Sequence, residues 1–152
     1  MSEYKLTREI IDLSASAVWD VAKLEWSLAQ IYEADEPERC LCGHFPIIEI
    51  CILQNKHNHH RATVGNCCVK KFIGLPSDKI FQAVKRVRKN NEKSLNAEAV
   101  DHAYRNGWIN DWEYKFSIDT MRKRKLSVKQ LQTRTKVNEK MLFNMRRANQ
   151  NG

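Results

Sequence analysis

The chain has 152 residues and a mass of 17.8 kDa, which suits one domain or one core with an appended module and excludes a barrel enzyme or a two-domain dehydrogenase. Hydrophobic residues make up 42% and charged residues 29%, too apolar for a disordered chain, and 5 Gly with 3 Pro exclude collagen-like and linker sequences. The net charge is +8 and is unevenly placed: residues 1–66 carry 6 Lys/Arg and 10 Asp/Glu, a balance of −4, whereas residues 67–152 carry 20 and 8, a balance of +12. A basic half beside an acidic half points to a polyanion partner for one surface. No stretch approaches the roughly 20 apolar residues of a membrane helix, so no membrane partner is expected. MSEYKLTREIIDLS lacks the basic start and apolar stretch of a secretory signal, and the expected location is the cytoplasm.

Ser14 reads as the N-cap of a long helix over residues 14–34. There Ala15, Val18, Trp19, Ala22, Trp26 and Ala29 recur at threes and fours. Pro37 ends that segment, because the residue before a proline is pushed out of helical geometry. Residues 40–75 read differently. Cys40-Leu41-Cys42-Gly43-His44 is a compact turn, and Ile47 to Leu53 is a β-branched strand with Ile48, Ile50 and Ile52 on one face. Residues 54–61 form a polar hairpin tip and Ala62-Thr63-Val64 a returning strand. Cys67 and Cys68 then open a short helix closed by Gly74 and Pro76. From residue 77 the chain reads as helical. Ser77 and Asn96 are caps, and Asn110/Glu113 and Ser127/Gln130 are capping boxes. The expected fold class is therefore α+β, mainly α. A small zinc-binding β-hairpin is packed among helices, with an N-terminal helical segment (1–38), a finger-like segment (39–76) and a basic helical module (77–152).

Cysteines fall at 40, 42, 51, 67 and 68. An odd count without a secretory signal argues against a disulfide framework and for metal binding. A zinc ion takes four thiolate or imidazole ligands in a tetrahedron. A turn, a hairpin and a helix with ligands at the first and last elements is the plan of a treble-clef finger. Cys40, Cys42, His44 and Cys68 give a Cys₃His set for Zn²⁺, with Cys67 as the competitor for the fourth place. Cys51 reads as a strand residue. CLCGHFPIIEICILQNKHNHHRATVGNCCVKKF resembles a short, mostly uncharacterised zinc-finger family of phage and large-DNA-virus proteins. They share a CxCG turn, an Asn-rich hairpin tip and a closing VGxxCxxxF. The resemblance covers about 33 residues. It implies a metal-binding fold, with Gly65 and Cys68 at the closing positions and Phe72 under the site, and a phage or mobile-element origin in a bacterial host cytoplasm.

His57, His59 and His60 crowd the hairpin tip. A His-Asn-His nuclease would need a metal-binding His on the short helix, and that helix supplies none, so the tip reads as an exposed loop. No phosphate loop, dinucleotide turn or nucleophile elbow is present, and nothing in the sequence points to an enzyme. On the last helix Lys129, Lys136, Lys140 and Arg147 fall within roughly 40° of one another, beside an apolar stripe of Val128, Leu131, Leu142 and Met145. The preceding turn carries Arg122-Lys123-Arg124-Lys125, and Lys79, Arg86 and Lys89 lie on an earlier helix. These residues are expected to contact a DNA or RNA phosphate backbone. Trp108, Trp112, Tyr114 and Phe116 read as core. The alternative is a protein-interaction factor that binds and modulates a host enzyme or defence complex, using the acidic cluster Glu33, Asp35, Glu36 and Glu38.

Overall fold

The computed structural model describes residues 3–145, which hold seven α-helices and a three-stranded antiparallel sheet. The mixed α+β class is as expected. The chain divides into two compact units, Met1–Ser77 and Asp78–Gly152.

The first unit opens with α1 (Glu3–Asp12), which buries Leu6 and Ile10, one turn apart. The short α2 (Trp19–Ala22) follows, and a 3₁₀ turn (Lys23–Glu25) leads into β1 (Trp26–Glu38). The long helix expected over residues 14–34 is therefore not formed. Most of its second half is strand, and Ser14 closes α1 instead of capping a helix. The Ser14 hydroxyl donates to the Ile10 carbonyl at 2.6 Å and accepts the Trp26 indole N–H at 2.9 Å. The misleading spacing has a physical origin. β1 is paired with β2 (Ile47–Asn55) through Leu28↔Leu53 and then Gln30↔Ile52, a bulge that shifts the alternation by one residue. Trp26, Leu28 and Ile31 are all buried, so period two plus one extra residue imitates helical threes and fours.

β2 is the central strand, flanked by β1 and by β3 (Arg61–Gly65). One face gathers Tyr32, Ala34 and Ile50 with Ile47 and Ile52. The other carries the cross-strand rows Ile31–Cys51–Val64 and Leu28–Leu53–Ala62, all buried. The expected strand, with Ile50 and Ile52 on one face and Cys51 on the other, is present. Pro37 lies in an edge strand, where a missing N–H costs no ladder bond.

The hairpin tip is organised by Asn55, which is fully buried. Its side-chain oxygen accepts the N–H groups of His57 (2.8 Å) and Asn58 (3.2 Å), and its amide donates to Glu25 at 2.9 Å. Glu25 also accepts the N–H groups of Ala15 (2.7 Å) and Ser16 (2.9 Å), so one carboxylate ties the tip to the segment after α1. After β3 come α3 (Asn66–Cys68) and a π-helical turn (Val69–Ile73), closed by Gly74 at φ +83°.

The second unit contains α4 (Ser77–Lys89, entered at the unit boundary), α5 (Ala97–Arg105), α6 (Asp111–Thr120) and α7 (Val128–Asn144). Ile80, Val84 and Val87 of α4 are inward, as their spacing requires. The Asn96 cap and both capping boxes form as the sequence predicts. Ser77 does not act as expected: its hydroxyl donates to the Asn66 side chain at 2.7 Å. α7 buries Val137, Asn138 and Met141, with Met145 beyond its end, while Val128 of the expected stripe is 77% exposed. Asn138 turns that face inward by donating to the carbonyls of Asn91 (2.8 Å) and Lys93 (2.7 Å). Trp112 is also not core: it is 61% exposed and stacks on Phe116.

His102 of α5 is fully buried, edge-on to Trp108 at 5.4 Å, and its Nδ1 has no hydrogen-bond partner. Burial, with Arg105 nearby, pushes its pKa from 6.5 down to about 4. The native state therefore holds it neutral, while the unfolded chain takes up a proton below about pH 6.5.

Asn55→Ala strips three hydrogen bonds from a buried position and is expected to destabilise the first unit by about 1–3 kcal/mol in a denaturant titration, with all five cysteines left in place. Stability of the second unit should fall as pH drops from about 6.5 to about 4. His102 supplies about 3 kcal/mol of that loss at about 1.36 kcal/mol per pH unit, and a His102→Leu chain measured at both ends of the window should show a correspondingly smaller decline.

Candidate metal centre and basic groove

Cys40 and Cys42 enter the centre from the turn that precedes β2. The turn is closed by the Cys40 N–H donating to the His44 carbonyl (2.9 Å) and the Gly43 N–H donating to the Cys40 carbonyl (2.8 Å). Gly43 sits at φ +96°, a conformation that a side chain would strain. The Leu41 N–H bonds the Thr63 carbonyl at 2.9 Å and fastens the turn to β3. Cys68 arrives from α3 at the far end of the hairpin. The sulfurs of Cys40, Cys42 and Cys68 all lie within 4.8 Å of one another, and all three residues are buried.

The surroundings suit thiolates. The Gly65 N–H donates to the Cys40 sulfur at 3.3 Å, and the His44 N–H donates to the Cys42 sulfur at 3.4 Å. A hydrogen bond from the Cys68 thiol, opposed by burial and helped by the Gly65 N–H, brings the Cys40 pKa down to about 5. The same bond and burial push Cys68 upward, because its proton is the one shared. Three soft sulfur donors converging in this way can bind a metal ion. Cys51 lies apart: burial pushes its thiol up to about 12, and it takes no place in the trio.

The two residues that compete for the fourth place behave alike. His44 and Cys67 are both exposed, and no His, Cys, Asp or Glu among the described residues joins the three sulfurs within 4.8 Å. Both instead line a cavity of about 310 Å³ bounded by Cys40, Cys68, Ile47 and Ile48. At its polar edge the Asn66 amide donates to Glu49 at 3.1 Å. Phe72, expected under the site, is half-buried. His57, His59 and His60 form an exposed tip, held at its base by Asn58 and His60 contacting the Leu13 carbonyl at 2.9 and 3.1 Å.

The basic residues divide into engaged and outward-facing groups. Lys140 ion-pairs with Glu113 at 2.6 Å. Burial resists ionisation of Glu113, but Lys140 and the Asn110 N–H outweigh it and hold the carboxyl below its ordinary range. Lys140 is therefore a structural partner of the α6 capping box, a role its helical spacing conceals. Lys79 pairs with Glu98 at 3.7 Å, and Arg86 donates to the Ser94 carbonyl at 2.6 Å. Lys89, Arg122, Lys129 and Lys136 are exposed, and Arg147 lies outside the described residues.

Lys123, Arg124 and Lys125 line a groove of about 600 Å³ together with Lys93 and Arg134, two residues not anticipated from the sequence. Arg134 is fixed there by donating to the carbonyls of Thr120 (2.7 Å) and Glu92 (3.3 Å). At about 100° per residue Arg134 falls between Met141 and Asn138, within the inward stripe of α7. A cation within the apolar stripe, and not on the exposed lysine face, was the available signal.

Protein-family models, curated proteins and solved structures were each compared with the chain, and none matches it.

Proposed function

We propose that this chain is a zinc-binding, nucleic-acid-binding protein that contacts the phosphate backbone through its basic second unit. The observation that carries the reading is the groove lined by Lys93, Lys123, Arg124, Lys125 and Arg134 in a unit with 18 Lys/Arg against 8 Asp/Glu. Five cations around one concave surface can neutralise several phosphates together and release their counterions. Lys129 and Lys136 add exposed positive charge on another face of α7. Phosphate contacts carry little base information, so binding should be weakly sequence-selective. The metal supports the first unit: zinc on Cys40, Cys42 and Cys68 joins the turn before β2 to the helix after β3, and structural zinc supplies folding free energy directly.

Trp112 favours a second reading. A tryptophan 61% exposed and stacked on Phe116 at 5.4 Å is the type of side chain that anchors protein interfaces. A protein partner docking there would give binding that resists salt, whereas phosphate binding weakens steeply with it.

Purified protein should hold one zinc per chain. Cys40→Ser or Cys68→Ser should abolish stoichiometric zinc by elemental analysis, and Cys51→Ser should retain it. A protein that binds no zinc and keeps its full thermal stability in chelator would overturn the metal reading.

The groove is tested with Arg124→Glu/Lys125→Glu, both exposed, in place of changes at Lys140, whose loss would also release Glu113. The double variant should bind short DNA and RNA duplexes and single strands more weakly at low salt. The slope of log affinity against log salt should flatten by about 0.7 to 0.9 for each phosphate that is no longer neutralised. Wild-type protein that retains no nucleic acid at low salt would overturn the reading in favour of the protein partner.

A further inference from the structure

We propose that the three-cysteine centre is an open metal site whose fourth coordination position faces the adjoining cavity and takes an exchangeable neutral nitrogen donor of the imidazole class. The inference rests on the metal reading above and deepens it. A closed structural zinc site is finished by a fourth protein ligand, whereas a site with three protein ligands leaves its last position to water or an incoming molecule. Here three sulfurs lie within 4.8 Å of one another, and no fourth donor among the described residues joins them. Cys40 and Cys68 border a cavity of about 310 Å³, so the centre has open space on one side.

Two features keep the chain's own donors out of that position. His44 spends its backbone on the site: its N–H bonds the Cys42 sulfur and its carbonyl accepts the Cys40 N–H. Its ring stands in the exposed wall of the cavity. Cys67 immediately precedes Cys68, and consecutive side chains on a helix point about 100° apart, so with Cys68 in the cluster Cys67 faces outward, and it is exposed.

The class of donor follows from charge. Three thiolates around a divalent ion already leave the centre with a net charge of about −1. Ile47 and Ile48 make the cavity wall apolar, and Glu49 stands at its polar edge. An anionic fourth ligand would add a second negative charge beside an apolar wall and a carboxylate, which is costly. A neutral donor adds none. Water occupies the position at rest, and a neutral imidazole nitrogen with a flat apolar body displaces it. The cavity volume is at the lower end of small-ligand pockets and admits a molecule of that size.

The test uses full-length, reduced protein loaded with cobalt(II), whose visible d–d bands report the donor set and whose ultraviolet sulfur-to-metal band reports thiolate number. Imidazole should shift the d–d bands saturably while the sulfur band keeps its intensity, and azide at equal concentration should shift them far less. His44→Ala and Cys67→Ser should each give the wild-type resting spectrum and the same imidazole response. A wild-type spectrum indifferent to imidazole would overturn the proposal. So would a resting spectrum altered by His44→Ala, which would place that ring on the metal, or a weaker sulfur band in Cys67→Ser, which would place that thiolate there. An azide response equal to that of imidazole would overturn the neutral-donor assignment. Failure to bind cobalt or zinc at all is read separately by metal stoichiometry and would remove the metal reading itself.

Discussion

Three sulfur atoms held within 4.8 Å of one another in a buried site cannot all carry charge unless something answers it. In the protein alone the answer is a shared proton. The Cys68 thiol hydrogen-bonds the Cys40 sulfur, so one sulfur ionises easily and another resists. A bound metal ion would answer it more completely by displacing the remaining protons. Much of the first unit is arranged around this convergence. β2 and β3 return the chain to its starting point, the Leu41–Thr63 bond fastens the turn to the returning strand, and Gly65 turns its N–H onto Cys40. Gly65 admits little else, because a side chain there would meet Ile47 at 3.2 Å.

The opposite end of the same hairpin is held by a different chemistry. Asn55 and Glu25 form a buried polar node that fixes the tip and the loop after α1 without any metal. The hairpin is thus pinned at both ends, by sulfur at one and by amide–carboxylate bonds at the other. Between them lie apolar cross-strand rows. Disturbing the cysteine cluster should loosen the turn and α3 before it reaches the tip, because the Asn55 node shares no side chain with that cluster.

What could be read from the sequence depended on whether local chemistry or tertiary pairing decided each element. The capping boxes at Asn110/Glu113 and Ser127/Gln130 were legible because both partners lie three residues apart. The thiolate trio was legible because cysteine spacing around a hairpin leaves few ways to close. β1 was not, because its bulge at Leu28/Gln30 exists only through pairing with β2 and converts an alternating pattern into a false helical one. Lys140 illustrates the same limit. Its position on α7 groups it with Lys129 and Lys136, yet Glu113, 27 residues away in sequence, claims its charge. Arg134 shows the converse, since its place in the groove follows from carbonyls supplied by the last residue of α6 and by the segment after α4.

The division of charge between the units gives each chemistry its own setting. The first unit, with 8 Lys/Arg against 10 Asp/Glu, is mildly acidic, which favours a cation at the thiolate centre and offers little to a polyanion. The second, at 18 against 8, favours phosphate and contains no cysteine. Had the cysteines stood among the groove cations, a phosphate polymer and a metal would have competed for overlapping surroundings, and each thiolate would have lowered the local positive potential. On the proposed reading, metal occupancy would respond to pH through thiolate protonation, because ligation requires deprotonated sulfur. On the same reading, phosphate binding in the groove would respond instead to ionic strength, through counterion release.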